Sequence, residues 1–169
     1  MNSQTAAALA DLLHADRAIM AMYDDAAEKI SAEASALLTD ALADHRKHEE
    51  LLVQALEAAE MQQVEASEDV RAIMDGQSLQ IKAAREEGDV LESLVVAERV
   101  NSMLYETASR EELPEELSEL INEHHADVRM HVSILEERVP HLVGSRAARH
   151  GISCMTGGMT DDRNPDDFE

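Results

Sequence analysis

Apolar residues recur at intervals of three and four along most of the chain, which predicts an all-α fold with four long amphipathic helices. The first covers about residues 3–30 and puts Leu9, Leu12, Leu13, Asp16, Ile19, Met20, Tyr23, Ala27 and Ile30 on one face. Ser31 offers a cap for the second, which runs to about residue 61. Its stripe is Leu38, Ala41, Leu42, His45, His48, Leu52 and Leu56. A longer connection over 62–88 carries a helical piece of its own near 69–85. The third long helix follows Gly88 to about residue 112, with Leu91, Leu94, Val95, Glu98, Ser102 and Tyr105 inward. Pro114 suits the first turn of the fourth, which carries Leu117, Ile121, His124, Val128, His131, Val132, Leu135 and Val139 up to Pro140. The result is two helical hairpins joined by a long crossover, a four-helix domain over 1–140. Residues 141–169, rich in Gly and polar side chains, read as a flexible C-terminal tail.

Composition agrees with this pattern. Of 169 residues 44% are hydrophobic, mostly Ala, Leu, Val and Met, while only 2% are aromatic. Ala, Leu and Met, with Glu, Gln and Arg, form helices readily. The net charge of −22, from 36 acids against 14 bases, excludes a phosphate-neutralising patch and so argues against free nucleic acid as a partner. The same charge fits a solvated acidic surface or a field that gathers cations. No run of 18 apolar residues predicts a membrane span. The N-terminus has no basic stretch before its apolar residues, unlike a secretory signal. The single Cys154 cannot make an intrachain disulfide, and a reducing, cytoplasmic setting is expected.

The chain repeats itself. "ADRAIMAMYD" from Ala15 and "AERVNSMLYE" from Ala97 share an acid, Arg, Tyr, acid pattern at a separation of 98 − 16 = 82. "LTDALADHRKHEELL" and "LSELINEHHADVRMH" also correspond, and matching His45 to His124 sets them 124 − 45 = 79 apart. A duplicated hairpin explains both. On a helical wheel Asp16, His45, His48, Glu98 and His124 all fall inside apolar arcs, with Asp127 nearer an edge and His131 one heptad below His124. Burying an unpaired carboxylate or charged imidazole costs several kcal/mol, on the order of what a whole core side chain contributes. Four helices that make the same exception at one depth therefore point to a shared metal site, although a buried acid–histidine network could also satisfy itself.

The arrangement resembles the ferritin-like superfamily of ferritins, bacterioferritins and rubrerythrins, and small bacterial ferritin-like proteins with a Pro-containing loop between helices three and four. The likeness covers roughly residues 3–139 and lies in spacing more than identity. It implies a four-helix bundle with a buried metal centre, two iron ions or else manganese or zinc. In that pattern Asp16 and Glu98 take the positions of the helix-one and helix-three carboxylates. His45 to His48 takes the first Glu-x-x-His slot, and His124 to Asp127 the second. Histidine stands where bridging glutamates are expected, which favours a nitrogen-rich set suited to Zn, Cu, Fe or Ni and leaves one or two ions open. Asp127, His125 or His131 completes the set, and Asp44, Glu49 and Glu123 are placed to accept imidazole N–H groups.

The resemblance implies a non-haem oxidoreductase of ferroxidase or peroxidase type that uses O₂ or peroxide. Tyr23 and Tyr105 would serve it by donating hydrogen bonds or an electron. The alternatives are a non-catalytic metal or oxygen carrier or sensor, and a structural bundle with a vestigial site. His45-x-x-x-Glu49 matches a hemerythrin spacing, but the third helix has no histidine. A homodimer is compatible with the pattern. "LVGSRAARHG" in the tail resembles peptides that load cargo into encapsulin shells.

Overall fold

Helix ends are set by local chemistry. The computed structural model describes residues 2–139, and they form α1 (Ser3–Ala27), α2 (Ala32–Ala58), α3 (Glu68–Ala83), α4 (Glu87–Ala108) and α5 (Glu115–Arg138). Among the described residues there is no strand, and they are all-α. Asn2 Oδ1 accepts the Thr5 N–H at 2.8 Å to open α1. The Ser31 and Ser67 hydroxyls accept from Ala34 and Val70, each at 3.4 Å, to open α2 and α3. Such caps satisfy N–H groups that the helix itself leaves unpaired, and each contributes about 1 kcal/mol. Pro114, at the start of α5, has no N–H to leave unpaired.

The connections at 28–31 and 109–114 are short, so α1–α2 and α4–α5 pack as antiparallel hairpins; α1 also lies against α4, and α2 against α5. The direction of those cross-hairpin pairs follows from reciprocal contacts. Tyr23 of α1 reaches Glu98 of α4, while Tyr105 of α4 reaches Asp16 of α1. His48 of α2 meets Asp127 of α5, and His131 of α5 meets Asp44 of α2. Reciprocity of this kind requires antiparallel neighbours related by a two-fold operation. The repeat therefore maps α1 onto α4 at 105 − 23 = 82, as the sequence suggested. It maps α2 onto α5 at 131 − 48 = 83 and 127 − 44 = 83, not at 79. His48 is the counterpart of His131; His45 corresponds to Val128, and His124 to Ala41.

The crossover helix α3 packs on both α1 and α4. Asp11 of α1 and Lys29, just beyond its end, pin it. Asp11 accepts the Ser67 N–H at 2.6 Å, and Lys29 Nζ donates to the carbonyls of Ile81, Lys82 and Ala84 at 2.9, 2.8 and 3.2 Å. A cation on the last carbonyls of a helix also complements its dipole. Val70, Met74 and Ile81 of α3 join one apolar cluster with Ala15, Met22 and Ala26 of α1 and Val90 and Ala97 of α4. A single stripe per helix does not anticipate these, because α1 and α4 are covered on two sides. Conversely Leu13, Met20 and Ile30 are half-buried and Ala27 is exposed. On α2 and α5 one stripe suffices.

A second apolar cluster, around Leu9, Leu12, Leu52, Leu56, Ile121 and Val128, fills the other end of the bundle. The ionisable layer lies between the two. No helix among the described residues is long and apolar enough to cross a membrane. The expected tail over 141–169, with Cys154 and the shell-loading likeness, falls outside the described residues.

Candidate metal centre

Asp16, His45, His48, Glu98 and His124 are each 0% exposed and His131 is 3% exposed, although Leu or Ala would cost far less at these positions. His45 sits in the middle. Its Nδ1–H donates to Asp16 Oδ1 at 2.8 Å and its Nε2–H to Glu98 Oε1 at 2.9 Å. One imidazole thus joins carboxylates from two helices. Asp16 also accepts from Asn101 Nδ2 at 2.8 Å on Oδ1 and from the Tyr105 hydroxyl at 2.9 Å on Oδ2. Glu98 Oε1 accepts from the Tyr23 hydroxyl as well, while its Oε2 is buried with no hydrogen-bond partner.

Two further histidines flank this core in equivalent positions. His131 Nε2 donates to Asp44 Oδ2 at 3.0 Å, and His48 Nε2 to Asp127 Oδ2 at 3.3 Å. Each hairpin thereby orients the other's histidine. In both rings the remaining Nδ1 is buried without a hydrogen-bond partner. His131 Nδ1 stands 3.7 Å from Glu98 Oε1, beyond a hydrogen bond. A histidine held through one nitrogen by a carboxylate, with the other nitrogen free and turned to a second carboxylate, is the usual posture of a metal ligand.

Protonation follows from these contacts. Burial alone would lower the His45 pKa, but the charge of Glu98 and the bonds to Asp16 and Glu98 outweigh it and raise the value to about 10. For Glu98, burial pushes upward and His45 and His131 pull harder downward, to about 2. His131 is raised because the nearby Glu98 carboxylate overcomes its burial. His48 is lowered by burial, and His124 falls to about 4 through burial and the neighbouring His48. Burial, then Glu98 for Tyr23 and Asp16 for Tyr105, raises both phenols well above their ordinary range. Both stay protonated near neutrality.

Two donor groups result, Asp16–His45–His48 and His45–Glu98–His131, each with one ligand atom per residue and all such atoms within 4.8 Å of one another. Two donors at about 2.1 Å from one ion lie at most about 4.2 Å apart, so small side-chain adjustments bring either group into range. The donor set of imidazoles and carboxylates fits a first-row transition ion.

Of the expected ligands, Asp16, His45, His48, Glu98 and His131 come together in these groups; His124 and Asp127 do not. Asp127 is 29% exposed on its side chain and serves His48 instead. His124 stacks on His48 at 3.8 Å between ring centroids, with both nitrogens buried and lacking a hydrogen-bond partner. His125 is half-buried and pairs with Ser102 at 3.1 Å. Asp44 meets an imidazole, but Glu49 pairs with Arg17 at 2.7 Å and Glu123 with Lys47 at 2.9 Å, because those long cations reach them at the surface. Sequence reasoning missed Asn101. It lies one turn after Glu98 on the buried side of α4, where its repeat counterpart is Ile19, and that polar-for-apolar exchange was its signal. No protein-family model matches the chain, and neither the curated proteins nor the solved structures with which it was compared contain a match.

Proposed function

We propose that the protein is a ferritin-like metal-binding bundle that holds two iron or manganese ions and acts as a non-haem oxidoreductase of the ferroxidase or peroxidase type. The observation that carries this reading is the pair of buried donor groups that share His45 and are related by the internal repeat. Asp16 and His48 would hold one ion and Glu98 and His131 the other, with His45 between them. Asp44 and Asp127 keep the outer imidazoles turned inward. When bound, such ions supply redox electrons and Lewis acidity toward O₂ or peroxide.

The chain's own residues prepare that chemistry. His45 would hold the ions through its ring nitrogens, which now bond Asp16 and Glu98, and each nitrogen would have to give up its proton to do so, so loading would release protons. Tyr23 and Tyr105 hold a proton beside Glu98 and Asp16, available where an oxygen is reduced. The apolar clusters above and below exclude water. The test is anaerobic loading with Fe(II), measurement of the iron-to-protein ratio, and then admission of O₂ while ferric absorbance is followed. Two ions per chain, oxidised faster than free Fe(II), support the proposal. Binding without accelerated oxidation reduces the protein to a carrier or sensor.

One observation favours a metal-free reading. His45 already bonds both carboxylates, so its imidazolium offsets one of their two charges and ties the layer together without a metal. On that reading the bundle is structural, and no iron is retained after loading.

A further inference from the structure

We infer that, among the described residues, a small uncharged molecule of the dioxygen class reaches this centre from the Glu98–His131 half and not from the Asp16–His48 half, through a pocket beside Ala41. The inference rests on the metal-binding reading for its purpose, whereas the pocket stands on its own geometry.

A cavity of about 220 Å³ lies between α2 and α5. Its walls include Leu37, Ala41, Ile134 and Leu135, and Tyr23 and His131 also border it. Both also reach Glu98: Tyr23 donates to it and His131 Nδ1 stands 3.7 Å away. On this half Glu98 Oε2 and His131 Nδ1 have no hydrogen-bond partner; on the other half His48 Nδ1, both His124 nitrogens and Asn101 Oδ1 lack one, while both oxygens of Asp16 are taken by His45, Asn101 and Tyr105.

The other half has the same parts and a different plug. The repeat places His124 where this pocket has Ala41, at 124 − 41 = 83. His124 stacks on His48 at 3.8 Å and meets the Tyr105 ring edge-on at 6.0 Å. His48 and Tyr105 are the counterparts of His131 and Tyr23, so the imidazole occupies the space that alanine leaves open. On the α1–α4 side the crossover helix α3 covers the bundle.

The lining selects the visitor. Among the described residues that line it the carboxylates are Asp40 and Asp44, and with a net charge of −22 they oppose anions. Cations can pair with Asp40 and Asp44, whereas the aliphatic walls of Leu37, Ile134 and Leu135 give a hydrated cation nothing in exchange for its water. A small uncharged molecule meets neither penalty.

Xenon, which enters apolar cavities as dioxygen does, tests the pocket without any metal. Crystals pressurised with xenon should show an atom beside Ala41 and none beside His124. Ala41→His should remove it, and His124→Ala should create a second atom near His48 and Tyr105. Nitric oxide added to the Fe(II)-loaded protein gives the second readout: Ala41→His should slow its binding on the order of tenfold or more, and His124→Ala should not. Xenon on both sides of the wild-type centre, or on neither, overturns the inference, as does nitric oxide binding unchanged by Ala41→His. Xenon placed as expected in a protein that retains no iron overturns the proposed function and leaves the pocket.

Discussion

The two halves of the ionisable layer are built from the same parts and finished differently. On one side Asp16 accepts three donors, and His124 closes the space over His48 and Tyr105. On the other, Glu98 keeps an oxygen free, Ile19 replaces Asn101, and Ala41 leaves a cavity beside His131. The repeat gives both halves an acid, a tyrosine, a histidine and an orienting aspartate. The halves differ at the paired positions 19 and 101 and 41 and 124, where one half is closed and the other open. The difference teaches that the repeat governs position, while access and hydrogen-bond saturation are set residue by residue.

The largest effect should come from the residue the halves share. His45→Ala strands Asp16 and Glu98 as buried acids without their common partner. Chemical denaturation of the metal-free protein should show a loss of roughly 3–5 kcal/mol, and the loaded variant should hold no pair of ions. If the variant is as stable as wild type, His45 does not join the two sides. His48→Ala and His131→Ala should each lower the bound metal from two ions to one, read as a metal-to-protein ratio after dialysis. Equal loss of both ions from either variant would mean one centre rather than two halves.

The phenols sharpen the comparison. Tyr23→Phe and Tyr105→Phe each remove a hydrogen bond to a charged acceptor, a contribution of roughly 1.5–3 kcal/mol. Glu98 has fewer donors left than Asp16, which keeps Asn101 as well as His45, so Tyr23→Phe should be the costlier. Urea midpoints of the two variants decide the order.

A smaller effect lies in the pH dependence of the metal-free protein. His45 is raised to about 10, so its contribution is complete below its unfolded value of about 6.5 and is lost as the pH rises toward 10. His124 is lowered to about 4, so below about 6.5 the unfolded chain binds a proton that the folded chain refuses, and stability falls toward pH 4. Stability should therefore peak near pH 6.5. His124→Ala should flatten the acid limb and spare the alkaline one; an unchanged acid limb would remove His124 from the account.

Much of this was legible in the sequence, for identifiable reasons. Helix number and the α2 and α5 stripes follow from a 3.6-residue period, and Asp16, His45, His48 and Glu98 stand out because each interrupts an apolar arc. The second faces of α1 and α4 were not legible, since they depend on where α3 lands. Matching His45 to His124 favoured like residues over register. The register of 83 emerges only when Asp44 and His48 are seen to exchange contacts with His131 and Asp127. His124 reads as a ligand on a wheel because a wheel shows which side a ring faces, not what it touches.

The central claim is that two ions flank His45. Anomalous scattering from crystals of the metal-loaded protein, collected at the absorption edge of the metal, tests it directly. The account predicts two peaks, one between Asp16 and His48 and one between Glu98 and His131, with the His45 ring between them. A bundle with no peak, or with a single peak at His124 and Asp127, would contradict it.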